Sequence, residues 1–106
     1  MSKRPAKIDA HVLQSFLREH PGWEVRAEVL RRSFRFATSA DGVAFAVALA
    51  IVAESRDHHP ELRVGYARVE VLWSTHDVGG LSSLDVELAE QTERVAARHG
   101  AEAEPG

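Results

Sequence analysis

The sequence predicts an α+β domain in which a four-stranded antiparallel sheet has three helices packed on one face. Four short segments alternate apolar and polar residues with a period of two, which is typical of half-buried antiparallel strands. Three other segments carry apolar residues at helical spacing. Each of them follows a residue that favours the start of a helix. The segments follow one another in the order α-β-β-α-β-β-α.

The first helix should follow a polar segment at residues 1–7, which we expect to be mobile. Apolar residues recur at helical spacing from Ile8 to Leu17, and Asp9 is a favourable N-cap. The helix should end at His20-Pro21-Gly22, because the residue before a proline avoids the helical region.

Two strands are predicted next, over residues 23–28 and 30–36, where apolar and polar residues alternate. The turn between these strands lacks Gly, Asn and Pro, so its boundaries stay open.

The second helix is the clearest one in the chain. Thr38-Ser39-Ala40-Asp41 resembles a capping box at its start. Its apolar stripe consists of Phe45, Ala48, Leu49, Val52 and Ala53. The helix should run to about Arg56 or Asp57, because Pro60 closes it off.

Two further strands and a helix are predicted in the second half of the chain. The third strand should hold Leu62, Val64 and Tyr66, and the fourth should hold Val69, Val71, Trp73 and Thr75 on its inward face. Gly79-Gly80 supplies a flexible turn, Ser82-Ser83-Leu84-Asp85 resembles a capped helix start, and Gly100 should stop this helix. Residues 101–106 should fray.

The overall composition predicts one globular domain over residues 1–106. The chain is 44% hydrophobic and 27% charged, which argues against disorder. Its formal charge is -3 and no long basic run is present, so we expect no nucleic-acid partner. Cysteine is absent, which excludes disulfides and thiol chemistry. No apolar run approaches the roughly 20 residues that span a bilayer, and no secretory signal pattern is present, so a cytoplasmic protein is expected.

Histidines and carboxylates are concentrated in two blocks, which are the strongest indication of function. Glu54-Ser55-Arg56-Asp57-His58-His59-Pro60 lies at the expected end of the second helix, and Ser74-Thr75-His76-Asp77 ends the fourth strand. Together the blocks hold three of the six histidines. Histidine can both give and take a proton near pH 7, because its unperturbed pKa is about 6.5. A fold that brings the two blocks together would therefore contain an acid/base cluster.

Simpler interpretations of these residues stay open. His58 and His59 could act only as a helix C-terminus, where histidines favour the negative end of the helix dipole. His76 could be an exposed loop residue, and Asp85 could act only as a helix cap. Trp23 could belong to the core or stack on a flat heterocycle.

Metal, nucleotide and serine-nucleophile chemistry are less favoured. Three histidines and a carboxylate match the ligands of zinc or iron. However, His58 and His59 are adjacent, and neighbours on a helix point about 100° apart, so we predict no metal. The sequence has no glycine-rich phosphate loop after a strand and no G-x-S-x-G motif. The residues alone lead to a small α+β domain with a histidine and carboxylate cluster.

The two blocks and their surroundings resemble the pterin-4a-carbinolamine dehydratase family. The resemblance extends over most of the chain, from about residue 10 to residue 98. The matching segments are Pro21-Gly22-Trp23, Phe34-Arg35-Phe36, Asp57-His58-His59-Pro60-Glu61, Tyr66, Val69-Glu70-Val71, Ser74-Thr75-His76-Asp77, Gly80-Leu81-Ser82, Asp85 and Leu88-Ala89. Ala67, Trp73 and Leu84 depart from the family pattern, and we expect none of the three to touch the histidines.

The resemblance implies a fold, an assembly and a reaction. The fold is a four-stranded antiparallel sheet with three helices on one face, assembled as a homodimer or homotetramer. The reaction is the loss of water from 4a-hydroxytetrahydropterin, which gives quinonoid dihydropterin without a metal or organic cofactor. It would recycle tetrahydropterin after an aromatic amino-acid hydroxylase has used it.

The resemblance also implies residue roles. His58 and His76 would be the acid/base pair, and His59 would position the substrate. The residues expected to bind substrate are Glu54, Asp57, Pro60, Ser74, Thr75, Trp23 and Asp85. Within this set the carboxylates would bond to the pterin or orient histidines, the hydroxyl residues would bond to the amide edge of the ring, and Trp23 and Pro60 would form apolar walls.

Two non-catalytic roles stay open beside the enzyme. In animals the family includes proteins that stabilise dimers of a homeodomain transcription factor, so a binding-only role is a second hypothesis. The Ala- and Arg-rich composition is typical of a GC-rich bacterial source, where that partner would be missing. A pterin-binding accessory protein, for example in molybdopterin metabolism, is a third.

Overall fold

The computed structural model describes residues 6–75 and 78–103. These residues form three helices and four strands in the predicted order. The elements are α1 (Ala10–Glu19), β1 (Glu24–Arg26), β2 (Val29–Arg35), α2 (Ser39–Ser55), β3 (Glu61–Gly65), β4 (Arg68–Trp73) and α3 (Ser83–Arg98). The fold class predicted from the sequence is therefore confirmed.

The strands form one antiparallel sheet in the order β1-β2-β4-β3. The longest pairing joins β2 to β4, from Leu30 opposite Trp73 to Arg35 opposite Arg68. The helix α2 carries the chain from β2 to the edge strand β3, which then turns back to pair with β4. The C-terminal end of α2 therefore leads directly into the edge of the sheet.

Alternation along the two central strands builds the core, because every second side chain faces the helices. Leu30 and Phe34 of β2 are buried, as are Val69, Val71 and Trp73 of β4. The helices cover this face with Phe16, Phe45, Leu49, Leu88, Ala89 and Val95. These side chains belong to one continuous apolar cluster, so the three helices and the sheet share a single core.

Each helix begins at the cap residue that the sequence predicts. Asp9 accepts a hydrogen bond from the backbone N–H of His11, and Thr38 accepts one from the backbone N–H of Asp41. Ser82 is the N-cap of α3. Such caps satisfy backbone donors that have no partner within the helix, which explains why local sequence sets these boundaries so well.

Several details differ from the expected elements. Thr75, expected on the fourth strand, lies beyond the end of β4 at Trp73. The helix α2 ends at Ser55, before Arg56 or Asp57, because Asp57 adopts a left-handed conformation with φ 49°. β1 is only three residues long and wholly exposed at the sheet edge, rather than half-buried. Tyr66 is not a strand residue, because β3 ends at Gly65 and Tyr66 lies in the turn that follows. Its side chain is 88% exposed.

The outer face of α2 is more apolar than that of an ordinary surface helix. Val43, Val47 and Ile51 are exposed by 47%, 56% and 67%, one turn apart from each other. Their opposite neighbours on the helix, such as Phe45 and Leu49, are in the core. A helix that is apolar on both faces is typical of one that is covered on both sides. Of the described helices, none is long and apolar enough to cross a membrane.

Candidate active site

The end of α2 fixes the position of His58 through its backbone. The N–H of Asp57 bonds to the carbonyl of Glu54, and the N–H of His58 bonds to the carbonyl of Ala53. Together with the left-handed Asp57, these two bonds form a Schellman motif, which reverses the chain at a helix end. His58 is therefore held at a defined place just beyond the helix, rather than on it.

The imidazole of His58 lies flat on the indole of Trp73. Their ring centroids are 5.8 Å apart and their planes differ by 7°. Trp73 is fully buried at the end of β4, and its Nε1 donates to Oγ1 of Thr92 at 3.0 Å. Since the indole is fixed by this hydrogen bond, it gives the imidazole a rigid platform.

A buried carboxylate holds the edge of the same imidazole. Nε2 of His58 lies 2.7 Å from Oδ1 of Asp85, which has no solvent exposure. The other oxygen, Oδ2, accepts from Oγ1 of Thr75 at 2.7 Å and from the backbone N–H of Ser82 at 2.9 Å. Asp85 therefore caps the N-terminus of α3 and orients a histidine at the same time.

These contacts determine which ring nitrogen of His58 is available. A carboxylate that already accepts two bonds at Oδ2 is an acceptor, so the short contact at Oδ1 requires a proton on Nε2 of His58. In the neutral ring, Nδ1 then carries a lone pair, and no side chain within the described residues bonds to it. The side chain is only 13% exposed. The result is an oriented imidazole with one nitrogen free to take a proton.

His59 lies in a more open setting than His58. Its Nε2 is 2.7 Å from Oε2 of Glu54, and the two side chains are 56% and 79% exposed. Asp57 is also exposed, and Pro60 is partly buried just before β3. These four residues, which the sequence predicts to belong to the site, thus lie beside His58 in the chain, between the last turn of α2 and the start of β3.

Trp23 is placed in the core. Its ring packs edge-on against Phe16 and Phe34, with centroids 5.9 Å and 6.1 Å away, and the residue is 4% exposed. The sequence left two roles open for Trp23, as a core residue or as a surface that stacks on a heterocycle, and these contacts place it in the core. Its role as a wall for substrate has no counterpart in these contacts.

The second histidine block is described only in part. Ser74 is partly buried and Thr75 is buried beside Asp85, whereas His76 and Asp77 lie outside the described residues. Among the described residues, no three histidine or carboxylate side chains converge on a point that could hold a metal ion.

Sequence reasoning missed two residues of this cluster. Trp73 was expected only as a core residue, and Ser82 only as a helix start. The signal for Ser82 was present, because a cap three residues before a carboxylate predicts a bond between them. The stacking of Trp73 on His58 joins positions 15 residues apart and has no local signal.

The chain is similar to known proteins over most of its length. Residues 6–95 match the sequence model of the family described as pterin 4 alpha carbinolamine dehydratase. A relative from Xanthomonas oryzae is 48% identical over 84% of this chain and 77% of its own length. One from Bradyrhizobium is 42% identical over 86% of this chain and 94% of its own length. Both relatives carry the dehydratase name provisionally.

Two solved structures share the fold. A protein from Brucella melitensis, described as a transcriptional coactivator/pterin dehydratase, is 32% identical with a TM-score of 0.77, over 85% of this chain and 98% of that one. A pterin dehydratase-like RuBisCO assembly factor of the alpha-carboxysome is 24% identical with a TM-score of 0.63, over 73% of this chain and 92% of that one. That second likeness concerns the fold alone. From the match to its sequence model and from these relatives, the chain belongs to the pterin 4 alpha carbinolamine dehydratase family.

Proposed function

We propose that this protein is a hydro-lyase that removes water from 4a-hydroxytetrahydropterin and releases quinonoid dihydropterin. In this step the C4a–O bond breaks and the hydroxyl group leaves with an added proton as water. The proton on N5 is removed, and a C4a=N5 double bond forms. The reaction needs one general acid and one general base, and no electrons are transferred.

The observation that carries this proposal is the contact between His58 and the buried Asp85. With Nε2 bonded to the carboxylate, Nδ1 of His58 is the nitrogen left to take a proton from a substrate. We assign His58 as the base for N5–H, because the neutral ring has its lone pair there. General acid/base groups of this kind typically contribute about 10²–10⁴-fold to the rate.

The other proposed roles follow the family resemblance. His76 would be the acid that protonates the leaving hydroxyl group. His59 would position the pterin, supported by its contact with Glu54. Asp57, Pro60, Ser74 and Thr75 remain proposed substrate-binding residues, and we propose that Asp85 acts on the substrate through His58 because it is fully buried.

We place this activity in the recycling of tetrahydropterin in the cytoplasm, beside an aromatic amino-acid hydroxylase. We also propose that the chain forms a homodimer or homotetramer. The exposed Val43, Val47 and Ile51 support this assembly, because pairing the outer faces of two α2 helices would remove these side chains from water.

The test generates the 4a-carbinolamine in situ with a phenylalanine hydroxylase and follows its decay by absorbance. Wild type should speed the decay above the spontaneous rate, and His58→Ala should lose most of that increase. His11→Ala is the matched control, because His11 is an exposed residue of α1 and should leave the rate unchanged. A wild-type protein that adds nothing to the spontaneous rate would contradict the enzymatic function.

A second candidate is a binding role without catalysis, as the name of the Brucella protein suggests for that protein. The observation that favours it is again the apolar outer face of α2, which could cover a helix of another protein. The decay assay separates the two candidates, since a binding-only protein would not change the rate.

A further inference from the structure

The turn between β1 and β2 holds two residues in an unfavourable backbone conformation. Arg26 pairs with Val29 across the strands, so the turn consists of Ala27 and Glu28 alone. Both have positive φ, at 52° and 62°. A two-residue turn of this kind favours Asn-Gly, since left-handed φ is strained for other residues. Strain of this kind often persists where the side chain has a task.

The carboxylate of Glu28 points across to the loop that leads into α3. A Cβ built on Gly80 would lie 3.5 Å from Oε1 of Glu28, which places this carboxylate against the glycine backbone. No described residue forms an ion pair or hydrogen bond with the Glu28 side chain. The strained turn thus presents a carboxylate whose hydrogen-bonding capacity is unused within the described parts of the chain.

This carboxylate borders a small cavity next to the contact between Thr75 and Asp85. The cavity has a volume of about 120 Å³, and its walls include Glu28, Ser74, Thr75, Gly79 and Gly80. Thr75 belongs to both places, because its hydroxyl also donates to Asp85, the partner of His58. A flat ligand at His58 could therefore extend one edge into this cavity.

We propose that Glu28 binds the 2-amino and N3–H groups of the pterin ring, and that the cavity at Glu28 receives this edge. The inference rests on the proposed function. A carboxylate offers two acceptor oxygens side by side, which match two neighbouring N–H donors. Ser74 also lines the cavity, and its hydroxyl is a donor that suits the carbonyl at C4 on the same edge. The cavity accommodates the edge of the ring, while the reacting C4a and N5 stay outside it toward His58.

The test compares two substitutions of Glu28 with one elsewhere. Glu28→Gln keeps the shape and removes the charge, and Glu28→Gly also relieves the strained turn. Ala67→Gly is the matched control, because Ala67 has φ 54° in the β3–β4 turn, away from the cavity. Both glycine variants should unfold at a higher temperature than wild type, since glycine adopts this conformation without strain.

Only the Glu28 variants should bind pterin less tightly. In the decay assay we expect KM to rise about 10- to 100-fold for Glu28→Gln and Glu28→Gly, the usual effect of losing a charged hydrogen bond. The value of kcat should change little. Ala67→Gly should keep the wild-type KM.

A ligand pair gives a second readout through fluorescence quenching. Pterin and lumazine differ at C2, where lumazine has a carbonyl in place of the amino group. Wild type should bind pterin more tightly than lumazine, and Glu28→Gln should lose most of that preference. If wild type speeds the decay but Glu28→Gln keeps both its KM and its preference, the subsite is wrong and the proposed function stands. If wild type neither speeds the decay nor binds pterin, both proposals fall.

Discussion

Nε2 of His58 lies 2.7 Å from Oδ1 of Asp85, and the same carboxylate accepts from the backbone N–H of Ser82, the N-cap of α3. A single residue therefore fixes a helix start and the tautomer of an imidazole. The consequence is that stability and chemistry are coupled at Asp85, and a substitution there must be designed to separate them.

Asp85→Asn should lower kcat by about 100-fold or more and change KM much less. Asparagine can still accept from the N–H of Ser82, but its amide can turn an N–H toward His58. Nε2 would then become the acceptor and the proton would move to Nδ1, which removes the proposed base. Steady-state kinetics gives the effect on kcat, and ¹⁵N NMR of the ring nitrogens gives the tautomer.

Thr38→Ala is the control for the stability part of this effect. It removes the cap of α2, far in sequence from Asp85, and should cost about 1 kcal/mol of unfolding free energy. Its kcat should stay at the wild-type value. An Asp85→Asn protein with normal kcat, or with the proton still on Nε2, would show that Asp85 serves only as a cap.

Asp57→Gly should stabilise the protein by roughly 1 kcal/mol, because Asp57 is left-handed at the C-terminal reversal of α2 and glycine has no Cβ to strain there. If the Asp57 carboxylate binds pterin, KM should rise in the same variant. Urea unfolding and the decay assay measure the two effects separately.

The reciprocal control is Gly100→Asp at the same position of the α3 terminus. Gly100 has φ 79° and its Cβ would meet nothing within 4 Å, so the substitution adds backbone strain without a clash. It should destabilise the protein by a similar amount and leave KM unchanged. If Asp57→Gly and Gly100→Asp changed the free energy of unfolding in the same direction, backbone strain would be ruled out as the cause.

Glu70 on the outer face of the sheet should make stability depend on pH. Its pKa lies below the ordinary value of about 4.5, mainly because Arg31 donates a hydrogen bond to the carboxylate, while burial opposes this shift. Between the folded and unfolded pKa values the unfolded chain binds more protons. The stabilisation is therefore complete at neutral pH and is lost as the pH falls below about 4.5 through the folded pKa.

Glu70→Gln should consequently cost about 0.5–1 kcal/mol at pH 7, a range suited to a partly exposed ion-pair network. The difference from wild type should shrink toward pH 3. Glu61→Gln is the matched control, because among the described residues its carboxylate forms an ion pair with Arg63 alone, and it is 59% exposed. Chemical unfolding at several pH values tests both variants, and a constant difference across pH would refute the linkage.

How well the sequence predicts a contact depends on how far apart the two residues lie along the chain. The caps at Asp9, Thr38 and Ser82 depend on residues two or three positions away, so local patterns predict them. The bond between His58 and Asp85 joins positions 27 residues apart, and periodicity alone leaves the role of Asp85 open. Only the family resemblance placed both in one site. The Ala27-Glu28 turn stayed open, because neither residue is one that such a turn favours.

The apolar outer face of α2 was not foreseen, because the sequence patterns were used to find the core-facing side. Double substitution Val47→Glu and Ile51→Glu places like charges one turn apart on this face, where the two side chains are 56% and 67% exposed. A dimer or tetramer that pairs these helices would have to bury four glutamates at each contact, so it should dissociate. Sedimentation velocity should give a larger species for wild type and a monomer, or a smaller oligomer, for the variant.

The control for this last experiment is Val12→Glu on α1, a residue exposed by 51% on another helix. It should keep the wild-type sedimentation coefficient. Both variants should retain their circular dichroism spectra and thermal unfolding, because the substituted side chains already face solvent within the chain. Wild-type sedimentation as a monomer, or an oligomer that survives the double substitution, would mean that α2 does not form the contact between subunits.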